Sequence, residues 1–165
     1  MTEALSRRLK QSRFISLQQE ALLSLGVAAG VLNTMVDAVC ERHGLTRPQY
    51  NVLRILRGVH PEGHPRCEIA IRMIERAPDI TRLVDRLQAQ GLVRRSRSGQ
   101  DQRQAITRIT PKGLKLLDTI QPDLDASTDK FLNKLGDAEC RELSRLCALI
   151  FETPDEDPPK HHKSK

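Results

Sequence analysis

The sequence predicts a mainly α-helical protein that carries one small β-hairpin. Long segments place apolar residues three and four positions apart, as amphipathic helices do. Two short segments, Val93–Arg97 and Ala105–Ile109, flank a polar stretch of turn-forming residues, which is typical of a hairpin. Ten arginines, five acids and no lysine lie between Arg66 and Arg108, so this part of the chain carries +5 of the net charge of +6.

The N-terminal part is predicted to form one long helix over residues 5–39, because its apolar residues keep the helical spacing through several turns. Its apolar surface is too large for a helix that covers one small domain. We therefore expect residues 1–44 to pack against other long helices in a dimer. Gly26 and Gly30 lie inside this helix, and each lowers the stability of the helix by about 1 kcal/mol relative to alanine. Three interpretations stay open: the glycines permit close approach of another helix, they form the floor of a ligand cavity, or they are tolerated in a stable helix.

Two shorter helices are predicted to follow. Thr46 and Gln49 have the spacing of a capping box, which opens a helix that runs through Leu56. A loop over residues 58–65 leads to a helix over residues 66–76, with Ile69, Ala70 and Met73 facing inward. This helix is expected to be the first of a helix-turn-helix pair.

The second helix of the pair begins near Pro78, which suits a first helical position, and ends before Gly91, which suits a left-handed helix end. Asp79 is expected in the first turn, where the helix dipole favours an anion. The apolar residues share one face, and the opposite face is rich in hydrogen-bonding groups. The hairpin follows, and Thr110 then caps a new helix. This layout predicts a winged helix-turn-helix domain over residues 45–110.

These residues resemble the MarR (multiple antibiotic resistance regulator) family. The resemblance rests on TRLVDRLQAQGLV at residues 81–93, the wing pair Asp101-x-Arg103 and ITPKGLKLL at residues 109–117, with LTRPQYNVLRIL at residues 45–56 upstream. It covers residues 10–151. It implies a transcriptional regulator, commonly a repressor relieved by a small effector, in which Arg103 enters the minor groove and Asp101 braces the wing. The chain departs from the family at residues 74–78, where a small polar turn is usual.

The arginine-rich segment predicts binding to double-stranded DNA, because planar guanidinium groups make bidentate contacts with phosphate and guanine. A helix fits the major groove and a wing arginine the minor groove. Arg82 or Arg86 is expected at guanine, and Asp85 accepts from cytosine or, more in keeping with nearby phosphates, pairs with an arginine. The predicted DNA-binding set is Pro78, Asp79, Thr81, Arg82, Asp85, Arg86, Arg94, Arg95, Arg97, Ser98, Gln100, Asp101, Arg103 and Gln104.

The C-terminal part is predicted to contain two more helices over residues 111–152, with Pro122 kinking or breaking the first and Gly136 separating them. With the first helix they are expected to form the dimerisation domain of a homodimer. A two-fold dimer places its recognition helices about 34–36 Å apart and requires a pseudo-palindromic site. Residues 153–165 are expected to be a flexible charged tail.

Several sensing mechanisms remain open. A small aromatic or anionic effector is expected between the dimer helices and the winged domain, near Gly26, Gly30 and Tyr50. Cys67 is the redox candidate, because it lies near a helix start and beside Arg66. His60, His64 and Cys67 have the spacing of metal ligands but no clear fourth ligand, so no metal and no cofactor are assigned.

Other classes of protein fit the sequence less well. The chain has no Gly-rich phosphate loop, no Gly-x-Ser-x-Gly and no His-Glu-x-x-His, so we do not expect an enzyme. Four cysteines without a signal peptide indicate free thiols in a reducing cytoplasm. Polar residues interrupt residues 21–39, so no membrane span is expected. A helical interaction or architectural protein that binds DNA without reading its bases is the remaining alternative.

Overall fold

The computed structural model describes residues 3–11, 13–75, 79–97 and 105–152. Within them the chain forms seven helices and three strands. In order these are α1 (Glu3–Leu9), α2 (Leu17–Arg42), α3 (Arg47–Gly58), β1 (His64–Pro65), α4 (Arg66–Ile71), α5 (Ile80–Ala89), β2 (Val93–Arg97), β3 (Ala105–Ile109), α6 (Pro111–Leu132) and α7 (Asp137–Phe151). The strands form one antiparallel sheet in the order β1-β3-β2. The predicted fold class, mainly α with a small β wing, is confirmed.

The predicted single helix over residues 5–39 is wrong, because the chain is interrupted between α1 and α2. Lys10 has a φ of 53°, which lies in the left-handed region. Ser16 then caps α2 by accepting a hydrogen bond from the Gln19 amide at 3.2 Å. The Gln19 side chain in turn accepts from the Ile15 amide at 2.6 Å. This reciprocal pair satisfies amide groups that an uninterrupted helix would have used internally.

The helix-turn-helix is built on one apolar core. Val52, Leu53 and Leu56 of α3 are fully buried together with Val84 and Leu87 of α5. The capping box that opens α3 is present, since Thr46 accepts from the Gln49 amide and the Gln49 side chain accepts from the Thr46 amide at 2.9 Å. This core fixes which face of α5 turns inward and therefore which face is left for a ligand.

Helix α4 ends at Ile71, five residues before the predicted end at residue 76. Ile69 is fully buried, but Ile71 and Ile74 are about three-quarters exposed. Continuing the helix would therefore bury no further apolar side chain. The Arg72 amide caps the end by donating to the carbonyl of Glu68.

The sheet contains one strand that the sequence did not predict. Strand β1 pairs His64 with Thr107 and Pro65 with Ile106 of β3, while β2 pairs with the opposite edge of β3. Gly63 precedes it with a φ of 77°, and a Cβ there would overlap the Thr107 carbonyl oxygen. The wing is thus attached to the loop before α4 as well as to α5.

The chain divides into two compact units, residues 1–127 and 128–165. Of the two outcomes predicted at Pro122, the break is wrong, since α6 runs from Pro111 to Leu132, and the kink stays a prediction. In the first unit Asp123 of α6 lies 2.9 Å from His43 and 3.4 Å from Arg42 at the end of α2. Hydrogen bonding to His43 lowers the pKa of Asp123, with Arg42 adding to the effect.

Two helices present apolar side chains that this single chain does not cover. In the first unit, α2 leaves Leu17 and Leu22 largely exposed. By length and composition α2 could cross a membrane, contrary to the expectation that no segment could, although the core helix of a soluble protein passes the same test. In the second unit, α7 has no buried residue, and Leu149, Ile150 and Phe151 are mostly exposed.

Candidate nucleic-acid interface

Helix α5 has the two faces that its sequence predicts. Ile80, Val84 and Leu87 are buried in the core. On the opposite side Arg82, Asp85 and Arg86 are exposed. An α-helix fits the major groove of B-form DNA, where arginine can donate two hydrogen bonds to guanine. The outward face of α5 can therefore make such contacts without any loss of core packing.

Helix α5 begins at Ile80, two residues after Pro78, which was the predicted first helical position. Asp79 is the N-cap rather than a first-turn residue, and its side chain accepts a hydrogen bond from the Arg82 amide at 3.0 Å. The other carboxylate oxygen lies 3.0 Å from the Arg82 Nε. The Arg82 side chain is nevertheless 81% exposed, so this surface pair is weakly held and can exchange its partner.

Thr81 and Asp85 contact the neighbouring elements. Asp85 pairs with Arg95 of β2 at 2.6 Å, which is the ion pair expected as the alternative to a cytosine contact. Arg95 also donates to the Thr81 carbonyl at 3.4 Å. Arg66, the first residue of α4, donates to the Thr81 hydroxyl at 2.7 Å. These bonds join the first turns of α5 to both the wing and α4.

Two predicted arginines are exposed and unengaged. The side chains of Arg86 on α5 and Arg94 on β2 form no hydrogen bond or ion pair with any residue that the structure describes. The charge of each is therefore available to a ligand. The remaining predicted residues, namely Pro78, the side chain of Arg97, Ser98, Gln100, Asp101, Arg103 and Gln104, lie outside the described part of the chain, and their roles remain predictions.

The Thr110-Pro111-Lys112-Gly113 segment links the wing and the end of α5 to α6. The Thr110 hydroxyl donates to the Gly91 carbonyl at 2.8 Å and accepts from the Gly113 amide at 3.1 Å. Lys112 donates to the Gln90 carbonyl at 2.8 Å. A Cβ at Gly113 would overlap the Leu92 carbonyl oxygen and lie 2.8 Å from Ile109 Cγ1. Only glycine permits this close approach, so the motif is structural and places α5 relative to α6.

The effector site predicted near Gly26, Gly30 and Tyr50 remains a prediction. A Cβ added at Gly26 or Gly30 would meet no atom within 4 Å among the residues described. Tyr50 is half-buried and packs on the core together with Val36, further along α2. Burial raises the pKa of Tyr50, while the nearby guanidinium groups of Arg54 and Arg57 act in the opposite direction.

Sequence reasoning missed these two arginines, although a signal was present. Tyr50, Arg54 and Arg57 are spaced by four and three residues, and residues at such intervals share one face of a helix. Guanidinium groups near a phenol can bind an anion that carries an aromatic or polar group.

The cysteines differ in their surroundings. Cys67 is exposed, as a redox candidate requires, whereas Cys40 is fully buried. Burial, with Asp37 adding to it, raises the pKa of Cys40 to about 11, so this thiol is neutral and inaccessible. Cys140 and Cys147 are partly exposed. Across the described ranges no three His, Cys, Asp or Glu side chains are grouped to hold a metal ion.

Comparison with known proteins gives one consistent result. The sequence model of the MarR family matches residues 45–105. The transcriptional regulator MhqR of Bacillus subtilis is 30% identical over 121 residues, which cover 72% of this chain and 82% of MhqR. A MarR transcription factor from Planctomyces limnophilus is 40% identical, with a TM-score of 0.64 over 83% of this chain and 99% of its own. BpsR of Bordetella bronchiseptica is 22% identical, with a TM-score of 0.73 over 87% and 99% of the two chains.

Proposed function

This chain belongs to the MarR family of winged helix-turn-helix transcriptional regulators, and on that basis we propose that it is a homodimeric repressor released from its operator by a small anionic effector. The observation that carries the proposal is the outward face of α5. Its arginines project from a helix fixed by a buried core, and Arg94 of the adjacent wing strand extends the basic surface.

We propose different roles for the arginines, which their contacts support. Arg86, whose side chain has no partner among the residues described, contacts guanine. Arg82 leaves Asp79 and binds a base edge or a phosphate instead. Arg94 contacts phosphate and contributes affinity without sequence preference. Arg95, Asp85 and Thr81 hold the wing against α5. By resemblance Arg103 enters the minor groove, and the other predicted wing residues flank it.

The proposed dimer contains a second chain over the uncovered apolar surfaces. Helix α2 presents Leu17 and Leu22, and α7 presents Leu149, Ile150 and Phe151. Burying apolar surface stabilises by roughly 25 cal/mol per Å², so large exposed apolar side chains on two helices favour association. A transcriptional regulator has no need of a membrane helix, which favours a second chain as the cover of α2. Residues 1–44 and 111–152 would then form the dimerisation region.

The effector is proposed to be a small anion with an aromatic or polar body, bound near Tyr50. Arg54 and Arg57 supply positive charge there. DNA binding by BpsR is regulated by 6-hydroxynicotinic acid, a small aromatic acid. The fold is shared with this chain, but the identity of the effector is not fixed by that likeness. Sensing through the exposed Cys67 remains the second candidate mechanism.

The deciding experiment is selection of bound duplexes from a random DNA library at two salt concentrations. Enrichment of a pseudo-palindrome supports a dimeric, sequence-specific regulator and supplies a duplex for effector screening. Binding that is salt-sensitive but enriches no sequence would overturn the proposal, since counterion release alone gives affinity without base readout. That outcome would favour an architectural DNA-binding protein.

A further inference from the structure

One arginine connects three separate elements on the side of α3 that faces α2. Arg47, the first residue of α3, places its Nε 3.0 Å from Asp37 Oδ1 on α2. Its Nη1 lies 2.5 Å from Glu75 Oε1, in the segment that follows α4. The Arg47 side chain is 23% exposed, so both bonds form in a setting partly shielded from water.

Glu75 is also bound directly by α2. The Asn33 side-chain amide donates to the same carboxylate oxygen at 3.3 Å. The hydrogen bond with Glu75 is the main reason that the pKa of Arg47 is raised, so the guanidinium remains charged. We call the contacts among Asn33, Asp37, Arg47 and Glu75 the Arg47 bridge. An isolated surface ion pair contributes little, but convergent bonds from two helices restrain one carboxylate in position.

The bridge ends close to the proposed DNA-binding helix. Glu75 stands four residues before Asp79, the N-cap of α5, whose backbone and side chain accept from the amides of Leu83 and Arg82. At its other end the bridge contacts α2, which packs Val36 and Val39 on the core that Tyr50 also contacts. The bridge therefore joins α2 to Glu75, four residues before the N-cap of α5.

We propose that Arg47 is a positioning residue that couples α2 to the DNA-binding helix. While α2 holds its present position, the bridge restrains Glu75, four residues before the N-cap Asp79, and displacement of α2 releases Glu75 and lowers operator affinity. This inference rests on the proposed function, because it assigns a route by which effector binding or dimer rearrangement reaches the DNA. The competing explanation is that the bridge only stabilises the fold.

The test compares two equivalent substitutions in the full-length protein. Glu75→Gln weakens the bridge, whereas Glu68→Gln weakens an ion pair with Arg72 that stays within α4 and its cap. Each removes one negative charge from the same domain, so general attraction to DNA changes equally. The probes are the duplex enriched by selection and an unrelated duplex of the same length.

We expect Glu75→Gln to lower affinity for the selected duplex by roughly three- to ten-fold relative to Glu68→Gln, with little difference on the unrelated duplex. Equal effects of the two substitutions on both duplexes would overturn the coupling. The urea midpoints of the variants show whether any loss follows global stability instead.

Hydrogen exchange tests the same coupling without DNA. Asp37→Asn alters the α2 end of the bridge, and we expect faster exchange of the Arg82 and Leu83 amides by roughly three- to ten-fold. Unchanged exchange at these amides would also refute the proposal. Because this measurement needs no operator, absence of sequence-specific binding would count against the proposed function alone, and the exchange rates would still decide whether the bridge couples α2 to α5.

Discussion

At the scale of single residues, the arginines near α5 differ in what they must give up to bind DNA. Arg95 is joined to Asp85 at 2.6 Å, and Arg82 is joined to Asp79 at 3.0 Å. Arg86 and Arg94 have no such partner among the residues described. A paired guanidinium must exchange one carboxylate for another acceptor, whereas an unengaged one loses only its hydration. Sequence spacing alone places all four arginines on the surface and does not show which of them have a carboxylate partner.

Arg86→Ala is expected to weaken the free energy of binding to the selected duplex by about 1–3 kcal/mol, because a bidentate guanine contact is lost. The sequence preference of the protein should also be relaxed. The matched variant Arg94→Ala is expected to weaken all duplexes alike and to reduce the salt slope by about one. Fluorescence anisotropy at several salt concentrations measures both. If Arg86→Ala behaves like Arg94→Ala, Arg86 contacts phosphate rather than a base.

Cys40 gives a prediction for the alkaline pH range. Its pKa is raised from 9.0 to about 11, so folding favours the neutral thiol. The unfolded chain therefore loses this proton first, and the contribution of Cys40 to stability is complete below pH 9 and declines as the pH rises towards 11. Urea unfolding across that range should show a shallower decline for Cys40→Ala than for the partly exposed control Cys140→Ala. Parallel declines for the two variants would contradict the assignment.

At the scale of elements, local capping signals were readable from the sequence, and contacts across the chain were not. The Thr46 and Gln49 pair predicted the start of α3, and the same pattern at Ser16 and Gln19 was overlooked, so the break before α2 was missed. Strand β1 has two residues and exists because it pairs with β3, about 40 residues later in sequence. Its short length leaves no periodic signal.

The same distinction holds for the interface. The buried and exposed faces of α5 followed from helical periodicity. An arginine partner for Asp85 was expected, but Arg95 as that partner and the contact of Arg47 with Glu75 depend on tertiary packing and could not be derived from spacing. The early end of α4 could not be predicted either, because it depends on whether Ile71 and Ile74 are buried against other apolar side chains.

Gly113→Ala is expected to lower the free energy of unfolding by about 1–3 kcal/mol, because the new methyl group would overlap the Leu92 carbonyl oxygen and crowd Ile109. Gly26→Ala is the matched control, also within a helix. There a Cβ meets nothing within 4 Å, so the substitution should stabilise by up to about 1 kcal/mol. Chemical denaturation measures both. Destabilisation by Gly26→Ala would instead show that a second chain or a ligand approaches α2 at this point.

At the scale of the whole molecule, the exposed apolar residues of α2 and α7 are the main feature that one chain leaves unexplained. The core around α3 and α5 is closed, with several side chains that have no exposed surface. By contrast, α7 contributes no buried residue to its own unit. Among the described residues, the core of the helix-turn-helix is therefore buried, whereas α2 and α7 leave apolar side chains exposed. This difference is the reason to expect a dimer.

Leu149→Asp is expected to convert a dimer into chains of 18.6 kDa in sedimentation equilibrium, because it places a charge in the proposed apolar interface. Affinity for a two-half-site duplex should fall steeply, while affinity for a single half-site changes little. Ser144→Asp is the control, since it adds the same charge at an exposed polar position of α7. A wild-type protein that sediments as one chain would remove the basis for this prediction.

The ion pair between Asp85 and Arg95 bears on how such regulators diverge and how they can be re-engineered. It joins the DNA-binding helix to its wing through residues ten positions apart, so a substitution in one affects the other. Grafting a helix with a different base preference onto this scaffold would leave Arg95 without its carboxylate unless position 85 remains acidic. Arg95 would then be free to bind a DNA phosphate, and the wing would change its orientation. New specificity therefore requires either an acidic residue at position 85 or exchange of residues 79–97 as a block.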